Sequence, residues 1–353
     1  MGFIIKLLKL KITKIILSLL IITFIASFYF YKDWYIKQYH KCIGFYFVHK
    51  GDEAYKNTKY QKAVNYYKLA LKHYPEHSKA NCNLGNIYVS FENYYEAVNA
   101  YENALKYNPN FMVCRMDLGI ILSEKMADYD KAIQEYGKVI NTTPWMLINI
   151  PFLFNNKQTT HTNKGIAYYN MGLAYRGKAV YMGDNTAVSV KYLKKARDSY
   201  MNAIKYLKND FDTYYNLALT NHLIGDYKSA GIQYCKAINI EPENFEAHYN
   251  MALLLRTVRL NEEALNEFEK AAMLIDSSLK DDKYKYIFGI MNEMKRRIIN
   301  EGKFEYLSKR IDLTSLPPEE INYFHGKVIL SKQKEFNKKE FFKCNYEKTL
   351  EEI

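Results

Sequence analysis

A 34-residue period runs through most of this chain and restricts its fold more than any other feature of the sequence. Six positions recur without a gap in two consecutive copies: Gly51, Tyr60, Ala63, Tyr67, Ala70 and Pro75, then Gly85, Tyr94, Ala97, Tyr101, Ala104 and Pro109. Further copies of the pattern surround Gly119, Gly172, Ala218 and Ala252, the first of them with one residue inserted near Tyr129. Such a period predicts stacked units, each of which buries its apolar face only against its neighbours.

Each unit contains two apolar-periodic stretches, which predict two helices joined by a polar turn such as Phe91–Asn93 or Ile224–Asp226. Proline cannot continue a helix, so Pro75, Pro109, Pro144 and Pro242 predict the end of one unit and the start of the next. Gly85 and Ala97 are small, and we expect two helices to approach closely there.

These coupled positions resemble the tetratricopeptide repeat (TPR) family over residues 44–278. The resemblance implies an all-α fold, a right-handed helix-turn-helix solenoid of about six TPR units. The expected repeats are 44–77, 78–111, 112–146, 165–210, 211–244 and 245–278. About twelve extra residues near Arg176–Lys191 should lengthen or interrupt the helices of the fourth repeat.

Other segments flank or interrupt the predicted repeats. A capping helix is expected at 279–301 and a charged C-terminal tail at 302–353, with an insert at 147–164. The apolar residues Trp145–Phe154 are too few to cross a membrane. They are either a loop folded over the repeats or an exposed patch for a partner or the lipid surface.

The N-terminus has the composition of a membrane anchor. Ile15–Tyr31 is uncharged over 17 residues, and extension to Ile12 gives a helix of roughly 30 Å, the thickness of a hydrocarbon core. The sequence therefore predicts a lysine-rich segment and one transmembrane helix within 1–32, with Ile12–Tyr31 in the lipid bilayer, and a juxtamembrane linker at 33–43. A cleaved signal peptide is disfavoured because small residues are poorly placed around Ala26, and a buried core helix because the segment is not amphipathic.

Charge sets the expected orientation of that anchor and excludes one class of partner. The net charge is +12, and eight lysines with one aspartate give residues 1–50 a charge of +7. The remaining chain lacks the broad basic surface of a nucleic-acid binder. Lys6, Lys9, Lys11 and Lys14 precede the span, so the N-terminus is expected in the cytoplasm and the repeats on the non-cytoplasmic side.

The sequence contains no catalytic motif, phosphate-binding loop or dinucleotide fingerprint. We therefore expect neither enzyme activity nor a cofactor, and no small-molecule substrate is evident. Five cysteines, far apart and without a CxxC pair, predict neither a disulfide framework nor a zinc site and leave the redox compartment open.

The TPR resemblance implies that the first helix of each repeat lines a concave groove. The residue before the Leu-Gly position is asparagine in four copies, Asn83, Asn170, Asn216 and Asn250, and is His49 or Asp117 in the others. This array is similar to the asparagine ladder of O-GlcNAc transferases, whose amides can pair with a peptide backbone. The alternative is that asparagine is simply common at this position. The candidate groove residues are Asn83, Asn86, Asn170, Asn216, Asn250, Tyr215, Tyr249 and Arg256.

The carboxylate clamp, a second binding mode of this family, is disfavoured. Val48, Asp52, Val113 and Asp117 occupy positions where several of the clamp's polar and basic groups should be. For the tyrosines and Arg256, packing between neighbouring repeats is the alternative to a binding role.

Together these features predict a non-enzymatic scaffold, anchored to a membrane, that binds a peptide or partner helix in its groove. The alternative is a non-catalytic subunit or regulator of a membrane-associated envelope-polymer or secretion enzyme complex.

Overall fold

The computed structural model describes residues 2–142, 156–183, 187–274, 286, 289–294, 343–344 and 346. Within these residues the regular secondary structure is helical, as predicted. The helices are α1 (Gly2–Lys56), α2 (Tyr60–His73), α3 (Ser78–Ser90), α4 (Tyr94–Tyr107), α5 (Met112–Glu124), α6 (Tyr129–Asn141), α7 (Asn156–Tyr181), α8 (Ala187–Tyr206), α9 (Phe211–Ile224), α10 (Tyr227–Ile240), α11 (Phe245–Thr257) and α12 (Asn261–Leu274).

The chain divides into two compact units, Met1–Ile121 and Leu122–Ile353. In the first unit α1 packs with α2 and α3 with α4. In the second, α7 packs with α8, α9 with α10 and α11 with α12. Each of these pairs is one of the predicted helical hairpins.

Helix α1 joins the N-terminal segment to the first repeat without a loop. Its one non-helical residue is Tyr31, with φ −110° and ψ 16°. Residues 33–43, the expected juxtamembrane linker, are helical and lie within α1. The reason is visible in the sequence, since no glycine or proline interrupts the chain between Tyr31 and Gly44.

No single helix of the described chain is both long and apolar enough to cross a bilayer, whereas Thr13–Ser27 and Tyr29–Lys56, bent by 64° to each other, meet that requirement as a pair.

Close packing of a tyrosine against a glycine explains why these two positions recur together. Tyr67 and Tyr101 are at most 2% exposed. A Cβ atom added to Gly51 would lie 2.6 Å from Cε1 of Tyr67, and one added to Gly85 would lie 2.6 Å from Cε1 of Tyr101. No side chain larger than glycine fits without displacing the ring, so the predicted close approach at Gly85 is confirmed.

The turns between the two helices of a repeat share one backbone conformation. Thr58, Glu92, Ala127, Gly225 and Arg259 occupy this turn, and all have positive φ, between 53° and 90°. In the second repeat the Asn93 amide donates to the carbonyl of Tyr88, five residues back. In the third repeat the Asp128 amide donates to the carbonyl of Leu122, six residues back. The inserted residue is therefore accommodated in the turn and leaves the helices in register.

The fourth repeat departs from the expected boundaries. Helix α7 begins at Asn156, so residues 156–164 of the expected insert are helical and extend the first helix of this repeat. The extra residues lengthen α7 and α8 to 26 and 20 residues, which is one of the two predicted outcomes. Residues 143–155, including Pro144 and Trp145–Phe154, lie outside the described residues.

Two segments after the repeats join the core of the second unit. Ile290, Met291 and Met294, within the expected capping helix, are at most 7% exposed and belong to the cluster that includes Met251 and Phe268. Cys344 of the expected tail is in the same cluster and forms a disulfide with Cys235, with Cα atoms 5.1 Å apart. The sequence predicted no disulfide framework and did not identify this single pair, because a separation of 109 residues does not reveal that the chain returns to α10.

Candidate functional site

The candidate residues lie on the first helices of their repeats, α3, α7, α9 and α11. We call the surface formed by these side chains the first-helix face, and each of the two compact units has its own such face. In each repeat the Leu-Gly side of the first helix is buried against the second helix. The candidate residues lie on a different side of the first helix.

In the first unit Asn83 takes part in a network that links two repeats. Its Nδ2 atom donates to Asp52 Oδ1 at 3.0 Å and contacts the Tyr67 hydroxyl at 3.1 Å. The Tyr67 hydroxyl donates to Asp52 Oδ1 at 2.7 Å, and Lys79 Nζ donates to Asp52 Oδ2 at 2.6 Å. Partial burial would raise the pKa of Asp52, but the hydrogen bonds from Lys79, Tyr67 and Asn83 outweigh it and hold that pKa below its usual value. The donor of Asn83 is therefore used within the protein.

Asn86 has a different role from that of Asn83. Its Oδ1 atom accepts a hydrogen bond from the Tyr101 hydroxyl at 2.6 Å. Asp52 does the same for Tyr67 in the preceding repeat. Asn86 thus satisfies the polar end of a buried ring and is not a member of the ladder.

In the second unit the asparagines again connect one repeat to the next. Asn216 Nδ2 donates to the Tyr169 hydroxyl at 3.1 Å and to the Asp212 carbonyl at 2.8 Å, and its Oδ1 accepts from Arg176 Nη1 at 2.6 Å. Asn250 Nδ2 donates to the Tyr215 hydroxyl at 2.7 Å. A tyrosine of one repeat therefore accepts from the asparagine of the following repeat.

Sequence reasoning missed Tyr169 and Arg176, although a signal for them exists. A Tyr-Asn pair occurs at 169–170, 215–216 and 249–250, and a basic residue follows each tyrosine after seven positions: Arg176, His222 and Arg256. His222 is half-buried, and burial lowers its pKa, which favours the neutral ring. Of the three basic residues at this position, the two that carry a positive charge are therefore Arg176 and Arg256.

The remaining candidates are partly or fully packed. Asn170 is 9% exposed. Tyr215 stacks on Phe211, and Tyr249 stacks on Phe245 and meets Phe268 edge to face at a centroid distance of 5.9 Å. The packing interpretation thus applies to both rings. Arg256 is half-buried, and its guanidinium donates no hydrogen bond to the part of the chain that the structure describes.

Asp117 stands at the ladder position of the third repeat and is half-buried. Burial raises its pKa to about 6. Its charge contributes, after burial itself, to the raised pKa of the Tyr101 hydroxyl, which places the two groups near each other. Above this pKa, Asp117 therefore places a partly desolvated negative charge on this face, whereas the asparagine of four other repeats is neutral.

The chemistry available on the first-helix face is recognition by hydrogen bonding and stacking. The Nδ2 donors of the three linking asparagines are occupied, while the Oδ1 atoms of Asn83 and Asn250 accept no hydrogen bond from described residues. These oxygens can accept N–H groups of a peptide, and Arg256 can donate to a carboxylate or carbonyl. Within the described ranges no three His, Cys, Asp or Glu side chains are grouped so that they could hold a metal ion.

Comparison with known proteins identifies TPR repeats in both units. Residues 49–106 match one family model described as tetratricopeptide repeat, and residues 211–244 match a second model with the same description. No curated protein matches the chain.

Solved structures resemble this chain in fold. The pilF protein of Pseudomonas aeruginosa has a TM-score of 0.52 at 14% identity, over 71% of this chain and 98% of that one. An assembly chaperone of RpL4 has a TM-score of 0.52 at 15% identity, over 74% and 98%. PilW, described as a type IV pilus biogenesis factor, has a TM-score of 0.50 at 14% identity, over 70% and 98%. At these identities the likeness shows a TPR-like helical solenoid and no shared activity.

Proposed function

We propose that this protein is a non-enzymatic interaction scaffold that binds an extended peptide or a partner helix on its first-helix face and is held at a membrane by its N-terminal segment. The observation that carries the binding proposal is the repeated Tyr-Asn arrangement of the second unit. Tyr169 and Asn216, and Tyr215 and Asn250, are bonded across successive repeats, so their side chains are held in place before any ligand binds.

The groups that remain available on this face suit a peptide. Asn250 keeps an open Oδ1 acceptor, Arg256 keeps its guanidinium donors, and Tyr249 contributes a rigid aromatic surface. Tyrosine and arginine are the residue types most often found at the energetic centre of protein interfaces. A backbone N–H for the amide oxygen and an acidic side chain for Arg256 are the ligand features that we expect.

The anchoring proposal is supported by the surface of α1. The large apolar residues between Ile15 and Ile25 are more than half exposed, from 51% for Ile21 to 70% for Phe24. So continuous an apolar surface is unfavourable in water and favourable in a bilayer. Four lysines precede it, which favours a cytoplasmic N-terminus and repeats on the other side. The Cys235–Cys344 disulfide is in keeping with an oxidising, non-cytoplasmic compartment.

The test is to replace face residues and to measure co-purification from membranes. The variant Tyr249→Ala with Arg256→Ala should lose its partner while it keeps its helical content. The matched control is Tyr95→Ala with Lys106→Ala on the second helix α4, whose residues are exposed. If the partner is lost from the control and retained by the face variant, binding uses another surface. A stoichiometric enzyme among the partners would favour the alternative of a non-catalytic subunit in an enzyme complex.

A further inference from the structure

A short segment of the expected C-terminal tail packs against the repeats of the second unit. This segment, comprising Lys343, Cys344 and Tyr346, packs on α10 and α12, the second helices of the last two repeats. Cys344 is 5% exposed and its disulfide partner Cys235 is fully buried. The segment is therefore part of the core and is covalently attached to α10.

Polar contacts from both helices hold this segment in addition to the disulfide. The backbone amide of Cys344 donates to Asn239 Oδ1 of α10 at 3.0 Å. On α12, Lys270 Nζ donates to the carbonyl of Lys343 at 3.3 Å, and Asn266 Nδ2 donates to the Tyr346 hydroxyl. One backbone donor and one backbone acceptor of the segment are thus satisfied by side chains, which is how a peptide ligand is bound.

A buried ionic cluster lies beneath the segment. Glu267 is fully buried, with Oε2 2.5 Å from His248 Nδ1 and Oε1 2.7 Å from Lys270 Nζ. His248 Nε2 lies 2.9 Å from the carbonyl of Pro242, so both ring nitrogens face oxygen acceptors. Buried charges require a complete set of partners, and the Lys343 carbonyl supplies one for Lys270. The segment therefore completes a site on α10 and α12.

We propose that this surface of α10 and α12 is a redox-gated binding site whose resident ligand is the chain's own C-terminal segment. A dithiol reductant opens the gate: the Cys235–Cys344 S–S bond breaks, each sulfur gains one electron and one proton, and the dithiol becomes a disulfide. Once the bond is broken, only non-covalent contacts hold the segment, and they include the hydrogen bonds from Lys270, from the Cys344 amide to Asn239, and from Asn266. The bond had joined residues 109 apart in sequence and had thereby limited the chain entropy that detachment gains, so its loss makes detachment of the segment more favourable. This inference does not depend on the proposed function of the first-helix face.

The first measurement is the thiol count of the full-length protein by mass spectrometry after alkylation in denaturant. The proposal expects three alkylated cysteines, Cys42, Cys82 and Cys114, in the monomer before reduction and five after it. Five before reduction in a protein kept under oxidising conditions, or a disulfide-linked dimer through Cys344, would overturn the intrachain site.

The second measurement is the rate of trypsin cleavage after Lys343 in the folded protein. We expect cleavage to be at least tenfold faster in the reduced protein than in the oxidised protein, and equally fast in Cys344→Ser without reductant. The control Cys42→Ser, which removes an exposed free thiol, should remain protected until it is reduced. Equal rates in oxidised and reduced protein would overturn the proposal.

A further variant separates binding from covalent attachment if Cys344→Ser fails to fold. Asn239→Ala retains the disulfide and removes the acceptor of the Cys344 amide from an exposed position. Its oxidised form should be protected like the wild type, while its reduced form should be cleaved faster than the reduced wild type. Asn65→Ala, at an exposed position of α2, is the matched control and should change neither rate. If Asn239→Ala also changes neither rate, the surface does not bind the segment.

Discussion

Replacement of Asp117 by asparagine should stabilise the protein at neutral pH, and the gain should depend on pH in a defined way. Burial raises the pKa of this carboxyl from 3.8 to about 6, so the folded protein carries an unfavourable charge above pH 6. The folded state binds more protons than the unfolded state between these two pKa values, and stability therefore falls as pH rises through that window. At pH 7.5 the cost is at most about 3 kcal/mol, from roughly two pKa units at about 1.4 kcal/mol each.

The asparagine side chain would remove that cost and would have a hydrogen-bonding partner nearby. Asn83 contacts the Tyr67 hydroxyl from the equivalent position, and Tyr101 is the corresponding tyrosine near Asp117. Because solvent reaches the half-buried carboxyl and screens its charge, we expect a gain of about 1–3 kcal/mol at pH 7.5 that falls to about a third of its value at pH 4.5.

Urea unfolding followed by circular dichroism at the two pH values measures this gain. The slope of the transition should be unchanged while its midpoint rises. Asp198→Asn, at an exposed position paired with Arg197, should stay within about 0.5 kcal/mol of the wild type at both pH values. No gain for Asp117→Asn at pH 7.5, or an equal gain at both pH values, would refute burial as the cause.

Three further changes test the packing and the ionic cluster. Gly85→Ala should destabilise the fold by about 1–3 kcal/mol in thermal or urea unfolding, since its Cβ would lie 2.6 Å from a Tyr101 ring atom, whereas Gly137→Ala, whose Cβ has no neighbour closer than 4.0 Å, should be neutral or stabilising. Asn216→Ala should cost about 1–3 kcal/mol of unfolding free energy even without a ligand, because it leaves the groups bonded to its amide unpaired; an unchanged midpoint would show that this amide does not link the repeats. Burial would raise the pKa of Glu267, but His248 and Lys270 outweigh it and lower that pKa below 4.5. The resulting stability is complete above pH 4.5 and is lost as pH falls through the folded-state pKa. Glu267→Gln should therefore destabilise by about 3–5 kcal/mol at pH 7 and by less in acid, and a pH-independent difference would contradict this.

The repeat architecture could be predicted from the sequence because its causes are local. Gly85 and Tyr101 are coupled by direct contact, and the turn at Phe91–Asn93 and the helix ends before Pro75, Pro109 and Pro242 follow from backbone chemistry. These features repeat, so each copy supports the interpretation of the others.

The candidate site was predicted only in part, because hydrogen-bond partners depend on packing between repeats. The asparagine position was identified from the sequence, but its partners were not: the donors of Asn83, Asn216 and Asn250 bond to the preceding repeat. The return of Cys344 to α10 has no local signal at all. The two sides of that contact are brought together by tertiary structure alone.

The most direct test of the scaffold account is site-specific photo-cross-linking in intact membranes. A photoreactive phenylalanine derivative replaces Tyr249 on the first-helix face or, as the reference position, Tyr95 on α4, which is 79% exposed. The account predicts a cross-linked product of discrete mass from position 249 and none from position 95, and the product from 249 should disappear when Arg256 is also replaced by alanine. A product from position 95 with none from position 249 would contradict the account.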